Sequence, residues 1–461
     1  MLFNSLQFLL FFPVMLLLYH QLSHRWQNRQ LLVASYIFYG MWDWRFLFLL
    51  ATSTVVDFYC GRYIAKSSDP RTRKSLLVLS IAVSGGALMF FKYFNFFVGS
   101  ATGLLDWAGF SVSTQLLQIV LPIGISFYTF QTMCYTIDIY RGKLQPAENL
   151  LDYALYISYF PQLVAGPIER ATNLLPQILN PRTLTQEGCF EGTYLILWGF
   201  FKKVVVADNL CRIADWGFGN VAELNTVSAL VTIYAFAWQI YCDFSGYTDI
   251  ARGCSKLLGI ELMVNFNVPY LSRTPSEFWR RWHISLSSWF TDYVFIPLGG
   301  SRNGVWSSYR NIFITMLLSG LWHGAAWTFV AWGAFHAALL SAYRMIGTER
   351  VNRVPAVVQT VLMFHLVCVG WVLFRAASIT DAWIFAETLL NWSTMSLPPK
   401  AYLLALVAPL AIVEFIQYRN LDAFPVFRWP TPIRVACYAG AYLAIMVIGR
   451  WDATAFIYFQ F

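Results

Sequence analysis

Runs of apolar residues long enough to cross a membrane recur along this 461-residue chain. A helix needs about 20 consecutive, mostly apolar residues to cross the hydrocarbon core of a bilayer. The composition agrees, because 58% of the residues are hydrophobic and only 12% are charged, whereas an average soluble domain has about 25% charged residues. We therefore predict an all-α integral membrane protein with roughly ten to twelve transmembrane helices plus re-entrant or interfacial helices. No soluble linker separates a second domain, so we expect one membrane domain, residues 1–461.

Basic residues lie in short clusters between the apolar runs, and they predict the orientation of the chain. The net charge of +8 therefore indicates membrane topology rather than nucleic-acid binding. If successive apolar runs cross the membrane in alternating directions, three basic clusters lie on the same side of it: residues 25–29, 66–74 and 141–143. Because cytoplasmic loops carry an excess of Lys and Arg, we expect this side to be cytoplasmic and the N-terminus to be outside. The first run has no basic residue before it and no small-residue cleavage site after it, which predicts a retained helix rather than a signal peptide.

One apolar run is too short to cross a membrane. Tyr153 to Val164 contains about a dozen residues and then meets A-G-P-I-E-R, which begins at Ala165. The Gly-Pro break predicts a re-entrant or interfacial helix, whose backbone must be buried in protein or line a wet cavity. The polar residues that follow, up to Gly188, are expected to form a loop.

Neither the cysteines nor the histidines form a metal or disulfide pattern. The eight cysteines are scattered, mostly inside apolar runs, and no C-x-x-C pair occurs. No two histidines have the H-x-x-x-H spacing of a zinc-binding helix. We expect no bound metal, no disulfide framework and no resident cofactor.

The stretch Thr274–Trp327 is the most informative part of the chain. It begins T-P-S-E-F-W-R-R-W-H-I-S-L-S-S-W-F and ends L-S-G-L-W-H-G-A-A-W. T-P-S-E is a capping box with proline at the first helical position, so a helix is expected to begin at Pro275. Trp279, His283 and Ser287 follow at every fourth position and are expected to form a single stripe on this helix.

The same stretch holds candidate donor-binding residues: Arg280, Arg281, Trp282 and Ser287. Its mixture of tryptophan, arginine and hydroxyl side chains predicts an interfacial helix on the cytoplasmic side. Guanidinium groups there could bind phosphate or carboxylate. The alternative is that the arginines and the tryptophan are ordinary interface anchors.

His283 and His323 are the candidate catalytic residues. A titratable side chain within a membrane segment is costly and is usually functional. His323 follows an apolar run, lies between small residues and is expected to be crowded by Trp322 and Trp327. Desolvation would disfavour its charged form, which suits a general base. The alternative for His323 is a hydrogen-bonded structural histidine between helices.

The other polar groups in apolar runs have simpler interpretations. Asp243 and Asp249 are expected either to orient the site or to pair with Arg252. The remaining histidines are expected to be structural or interfacial: His20, His24, His336 and His365.

Several long motifs occur in a characteristic order. They are F-N-S-L-Q-F-L-L-F from residue 3, L-P-I-G-I-S-F-Y-T-F-Q from 121, Y-F-P-Q-L-V-A-G-P-I from 159, D-F-S-G-Y-T-D-I-A from 243, F-W-R-R-W-H-I-S-L-S-S-W from 278, G-L-W-H-G-A-A-W from 320 and the terminal F-I-Y-F-Q-F. In these motifs the chain resembles the membrane-bound O-acyltransferase (MBOAT) family over nearly its whole length, in particular the bacterial branch of alginate O-acetylation and peptidoglycan O-acetyltransferase proteins.

This resemblance implies helices around a thinned central region with a tunnel across the membrane. It implies that His323 corresponds to the family's catalytic histidine and His283 to its second signature histidine. Residues expected to line the site or the tunnel are Trp322, Trp327, Asp243 and Asp249.

The resemblance also implies a function. It predicts a multi-pass O-acetyltransferase of the bacterial cytoplasmic (inner) membrane that uses acetyl-CoA, or another acyl thioester, as donor on the cytoplasmic side. The expected acceptor is an extracytoplasmic polysaccharide such as alginate, reached through a periplasmic acetyltransferase partner. Two alternatives stay open: D-alanyl transfer to teichoic acid from a carrier-protein thioester, and a non-enzymatic conduit for a glycan or an acyl donor.

Overall fold

The computed structural model describes residues 1–110, 116–390, 395–451 and 456–457. Within these residues every regular element is a helix, which confirms the all-α prediction. The last four residues of the terminal motif, residues 458–461, lie outside the described residues. The chain forms two compact units, Met1–Gly192 with Cys254–Met263 and Thr193–Gly253 with Val264–Phe461. The single domain 1–461 stays a prediction.

The first unit is built from short and long helices that follow the apolar runs. Asp69 caps the fourth helix through the amides of Arg71 and Thr72, and Pro70 takes its first position. The helices are α1 (Leu6–Tyr19), α2 (His24–Asp43), α3 (Phe46–Lys66), α4 (Pro70–Leu88), α5 (Phe94–Trp107), α6 (Ile125–Tyr140), α7 (Leu150–Ser158), α8 (Phe160–Leu163) and α9 (Ala171–Leu179).

The short apolar run of the first unit is interrupted at Tyr159, before the predicted Gly166-Pro167 break, and its re-entrant or interfacial placement stays a prediction. Helix α7 ends at Ser158, Tyr159 leaves the helical conformation, and α8 covers only four residues. The residues from Tyr153 to Glu169 are all buried, so this irregular backbone is enclosed by protein. The prediction of a loop up to Gly188 is wrong, because α9 forms there. Its apolar side chains recur at helical spacing, and that face is buried.

The helices from residue 186 onwards lie largely in the second unit. They are α10 (Gln186–Phe200), α11 (Asp208–Gly219), α12 (Thr226–Leu257), α13 (Pro275–Arg281), α14 (Ile284–Phe290), α15 (Val305–His323), α16 (Trp327–Ile346), α17 (Thr348–Val351), α18 (Ala356–Arg375), α19 (Ile379–Leu390), α20 (Ala408–Asn420) and α21 (Thr431–Val447). A π-helical segment, Phe201–Ala207, joins α10 to α11.

Five of the described helical stretches are long and apolar enough to cross a membrane. They are Pro70–Trp107, Thr226–Leu257, Trp327–Ile346, Ala356–Arg375 and Ala401–Asn420. Two shorter apolar helices, Leu6–Tyr19 and Thr431–Val447, fall below that length. The membrane class is therefore supported, whereas the count of ten to twelve spans stays a prediction.

Helices α15 and α16 cross at very short range, and this crossing sets the position of His323. A Cβ atom on Gly320 would lie 2.2 Å from the carbonyl oxygen of Phe329, and one on Gly333 would lie 2.4 Å from that of Met316. Only glycine permits such close approach of two backbones. His323 is the last residue of α15, so its place depends directly on this contact.

Candidate active site

The helix that was predicted to begin at Pro275 does so, but it is short. The Thr274 hydroxyl accepts a hydrogen bond from the Glu277 amide at 3.2 Å, as an N-cap should. The Glu277 carboxylate accepts from the amide of Arg273, one residue before the position that a capping box uses. Helix α13 then ends at Arg281.

The predicted stripe of Trp279, His283 and Ser287 is wrong, because the helix breaks in its middle. Trp282 is extended, His283 has φ 43° and ψ 55°, and a second helix, α14, begins at Ile284. Left-handed backbone costs a non-glycine residue about 1–3 kcal/mol and tends to occur at functional sites. His283 is therefore held in place by the surrounding structure rather than by a regular helix.

Asn265 fixes the tautomer of His283. Its side-chain oxygen accepts hydrogen bonds from the backbone amide and the hydroxyl of Ser285, at 3.2 and 2.8 Å. The His283 Nδ1 atom lies 3.2 Å from the same oxygen. The backbone amide of Ser285 can only donate, so the Asn265 atom that it contacts is the side-chain oxygen and not the nitrogen. Because that oxygen can only accept, Nδ1 of His283 carries the proton. The lone pair of the ring is then on Nε2.

Burial also determines the charge of His283. The residue has no solvent exposure, and desolvation lowers the pKa of its imidazole to about 3. The ring is therefore neutral at physiological pH. Neutral imidazole with a lone pair on Nε2 can accept a proton or a hydrogen bond.

His323 lies in an aromatic pocket at the end of α15. Its ring centroid is 5.1 Å from that of Trp322, 5.0 Å from Trp332 and 5.3 Å from Phe374, all at steep interplanar angles. The residue is 3% exposed. Trp322 therefore contacts His323 as predicted. Trp327 is 59% exposed. The ring of Trp332 also lies against His323.

The structure brings the two candidate histidines together. Their ring centroids are 6.5 Å apart, and Trp322 contacts both rings. Phe244 packs edge-on against His283 at 4.6 Å. Two imidazole rings thus share one buried, aromatic site, although 40 positions separate them in the chain.

Asp243 and Asp249 both pair with buried lysines. Arg252, the predicted partner, is therefore not their only cation. Lys203 Nζ lies 2.6 Å from Asp243 and 2.9 Å from Asp208. Lys202 Nζ lies 2.5 Å from Asp249, and Arg252 lies farther from that carboxylate, at 3.7 Å. Asp243 directly precedes Phe244, so its ion pair holds the segment that packs against His283.

Two of the predicted donor-binding residues line a cavity beside the histidine pair. This first cavity has a volume of about 510 Å³ and a largely apolar wall, with Arg280 and Ser287 among its polar residues. Ser319, one helical turn before His323, also lines it. Arg280 is exposed, so its guanidinium group is accessible.

The other two predicted donor-binding residues lie elsewhere. Arg281 lines a second, polar cavity of about 300 Å³ together with Lys202 and Arg252, and it pairs with Glu277 at 3.0 Å. Trp282 is 1% exposed and belongs to the aromatic core. Phe266 lines the polar cavity, and its ring centroid lies 6.4 Å from that of His283. The wall of this cavity therefore includes a ring that lies next to His283.

Comparison with known proteins identifies the family. The family model of the membrane-bound O-acyltransferases (MBOAT) matches residues 147–364. A probable alginate O-acetylase AlgI of Pseudomonas aeruginosa is 43% identical over 399 residues, which are 86% of this chain and 76% of that protein. The chain belongs to the MBOAT family. It is therefore an acyltransferase, which favours the enzymatic interpretation over the conduit.

Two further relatives show the range of acceptors among similar proteins. A peptidoglycan O-acetyltransferase of Helicobacter pylori is 35% identical over 381 residues, 76% of this chain and 71% of the relative. A teichoic acid D-alanyltransferase of Bacillus subtilis is 28% identical over 273 residues, 56% of this chain and 69% of the relative. All three relatives are named for transfer of a small acyl group.

The other histidines of this MBOAT protein have contacts of their own. His365 is exposed and bonds to the hydroxyl of Tyr234 at 2.8 Å. His20 is exposed and His24 is half-buried, and their rings lie near backbone carbonyl oxygens, at 3.1 and 3.2 Å. His336 is buried, and its ring lies 4.8 Å from that of Trp332.

Sequence analysis missed three groups that shape the MBOAT site: the lysine pair, Asn265 and Trp332. The lysine pair had a detectable signal, because Lys202 and Lys203 interrupt an apolar run and such residues are rarely unpaired in a membrane protein. Asn265 and Trp332 had no local signal. Among the described residues, no group of three or more His, Cys, Asp or Glu side chains is placed to hold a metal ion.

Proposed function

We propose that this acyltransferase moves an acetyl group from a thioester donor on the cytoplasmic side, acetyl-CoA, to an acceptor on the outer side of the bacterial inner membrane. The final product would be an O-acetylated extracytoplasmic polysaccharide such as alginate. The observation that carries this proposal is the buried pair of His283 and His323, with ring centroids 6.5 Å apart. Acyl transfer to a hydroxyl group requires a base at the reacting atoms, and neutral imidazole suits that task.

His323 is the proposed general base. It would take the proton of the attacking hydroxyl while the hydroxyl oxygen forms a bond to the thioester carbonyl carbon. Collapse of the tetrahedral intermediate breaks the carbon–sulfur bond, and the proton passes from His323 to the leaving thiolate. The reaction thus converts an alcohol and a thioester into an ester and a thiol, with no other reactant. Base assistance of this kind contributes about 10²–10⁴-fold to the rate.

His283 is the proposed second residue of the site. Its Nδ1 proton is directed to Asn265, so Nε2 can accept a hydrogen bond from the donor or from the attacking hydroxyl. Arg280 at the first cavity and Arg281 at the polar cavity are the proposed contacts for anionic groups of the donor. Ser287 lines the same cavity as Arg280.

The acceptor is proposed to be reached through a periplasmic acetyltransferase partner. Among the described residues the regular elements are all helices, and five helical stretches are apolar enough to cross a membrane, so we assign glycan binding to a separate protein. The names of the Pseudomonas aeruginosa and Helicobacter pylori relatives support a polysaccharide as the end product.

A second candidate function is D-alanyl transfer to teichoic acid. The similarity to the Bacillus subtilis relative favours it, although that match covers only 56% of this chain. This reaction would need a carrier-protein thioester in place of free acetyl-CoA. The identity of the donor therefore separates the two candidates.

The first test is release of free thiol from acetyl-CoA by the purified protein in nanodiscs, with water or the added periplasmic partner as acceptor of the acetyl group. We expect the wild-type protein to release CoA and His323→Ala to lose the activity by about 10²-fold or more, since the base is removed. His365→Ala is the matched control, because His365 is an exposed histidine of the same protein. It should keep wild-type activity.

Two results would contradict this proposal. Full thiol release by His323→Ala would exclude His323 as the base. Release only from a D-alanyl carrier protein, and not from acetyl-CoA even with the periplasmic partner added, would replace acetyl transfer by the second candidate.

A further inference from the structure

Trp332 faces His323 from the neighbouring helix. It lies on α16, one and a half turns after the start of that helix, and it has no solvent exposure. The centroids of the two rings are 5.0 Å apart and the rings are almost perpendicular, at 83°. A group bound against the edge of the His323 imidazole would therefore also lie beside the indole.

The indole N–H of Trp332 is buried and has no acceptor among the described residues. A buried donor without a partner costs about 1–3 kcal/mol, and such groups in a folded protein call for an explanation. The indole N–H of Trp279 is also buried and has no acceptor among the described residues. The centroid of the Trp279 ring lies 5.6 Å from that of Trp332. Trp279 also lines the first cavity, which reaches Ser319 on the helix of His323.

The acyl-transfer reaction provides an acceptor for such a donor. When a hydroxyl attacks a thioester, the carbonyl oxygen becomes an oxyanion, and the base becomes an imidazolium. Donors that are fixed in a dry site before the reaction stabilise this charge without reorganisation. Removing one such donor from an acyl-transfer enzyme lowers kcat by about 10²–10³-fold.

We propose that Trp332 is a further catalytic residue, whose indole N–H donates a hydrogen bond to the thioester carbonyl oxygen as that oxygen becomes negative. This inference rests on the proposed function, with His323 as base. In the step, the hydroxyl proton passes to His323 and the carbonyl π electrons pass to the oxygen that faces Trp332. The same electron pair re-forms the carbonyl as the thiolate leaves, so the Trp332 proton is never transferred.

The test is steady-state acetyl transfer by the full-length protein in nanodiscs, with acetyl-CoA as donor. Trp332→Phe keeps an aromatic ring and removes the N–H. Its kcat should fall by about 10²-fold while KM for acetyl-CoA stays within about twofold, because the lost interaction belongs to the transition state. Replacing Trp332 by benzothienylalanine, in which sulfur takes the place of the N–H, should give the same loss with the shape of the side chain retained.

Trp371→Phe is the matched control. Trp371 is 1% exposed and its ring stacks 6.4 Å from that of Trp332, but among the described residues it has no ring contact with His323. Its kcat should stay near that of the wild type. Wild-type kcat in the benzothienylalanine variant would overturn the inference while leaving the proposed function intact. Absence of thioester cleavage by the wild-type protein with every donor would overturn both.

Discussion

Lys203 is a cation enclosed between the carboxylates of Asp208 and Asp243, and the residue is only 5% exposed. The carboxylate of Asp243 also accepts a hydrogen bond from the backbone amide of Ile457, at 2.7 Å. We expect Lys203→Met to lower the free energy of unfolding by about 3–5 kcal/mol, because it leaves buried carboxylates without their cation. The measurement is the denaturation midpoint in detergent, followed by the activity of the folded fraction.

The matched control for this residue is Arg375→Gln. Arg375 pairs with Asp215 at 2.8 Å, but the two side chains are 24% and 57% exposed. Exposed ion pairs contribute about 0–1 kcal/mol, so this variant should be almost as stable as the wild type. Equal stability losses in the two variants would show that burial does not set the strength of the Lys203 pairing.

At the scale of elements, the crossing of α15 and α16 positions His323. We expect Gly333→Ala to destabilise the protein by about 1–3 kcal/mol, because the new Cβ would overlap the Met316 carbonyl and a backbone atom cannot rotate away. The shift of α15 should also lower acyl-transfer activity. Thermal unfolding and thiol release, measured on the same preparation, test both effects.

A glycine without neighbours provides the control for the helix crossing. Gly440 lies within α21, and a Cβ there would meet nothing within 4 Å. Gly440→Ala should leave activity unchanged and stabilise the helix by up to about 1 kcal/mol. If Gly333→Ala kept stability and activity as fully as Gly440→Ala, that result would contradict the close crossing of α15 and α16.

The whole molecule is expected to lie in the membrane with its basic clusters in the cytoplasm. The continuous helical stretch Pro70–Trp107 has Arg71 at one end and Asp106 at the other, and both residues are exposed. In a Cys437→Ser background, we expect Asp106→Cys to react with a membrane-impermeant maleimide in intact spheroplasts. Arg71→Cys should react only after permeabilisation. The opposite labelling pattern would invert the predicted topology.

The amino-acid sequence by itself determined the membrane class and the start of α13, whereas the break at Tyr159 was not predicted. The first two features depend on hydropathy and capping, which are properties of neighbouring residues. The long motifs also pointed to the correct family, whereas the catalytic roles that they imply for both histidines stay predictions. The break at His283 was missed because its backbone conformation is held by Asn265 from another segment.

Only the tertiary structure decided which side chains meet. The sequence places Lys203 beside Lys202, but not against Asp243, and it gives no reason to join Trp332 to His323. Contacts between positions that are distant in the chain depend on how helices cross. The crossing near His323 depends on Gly320, which lies against the backbone of Phe329. Local patterns therefore predicted the helices and the candidate residues, whereas packing between helices determined the site.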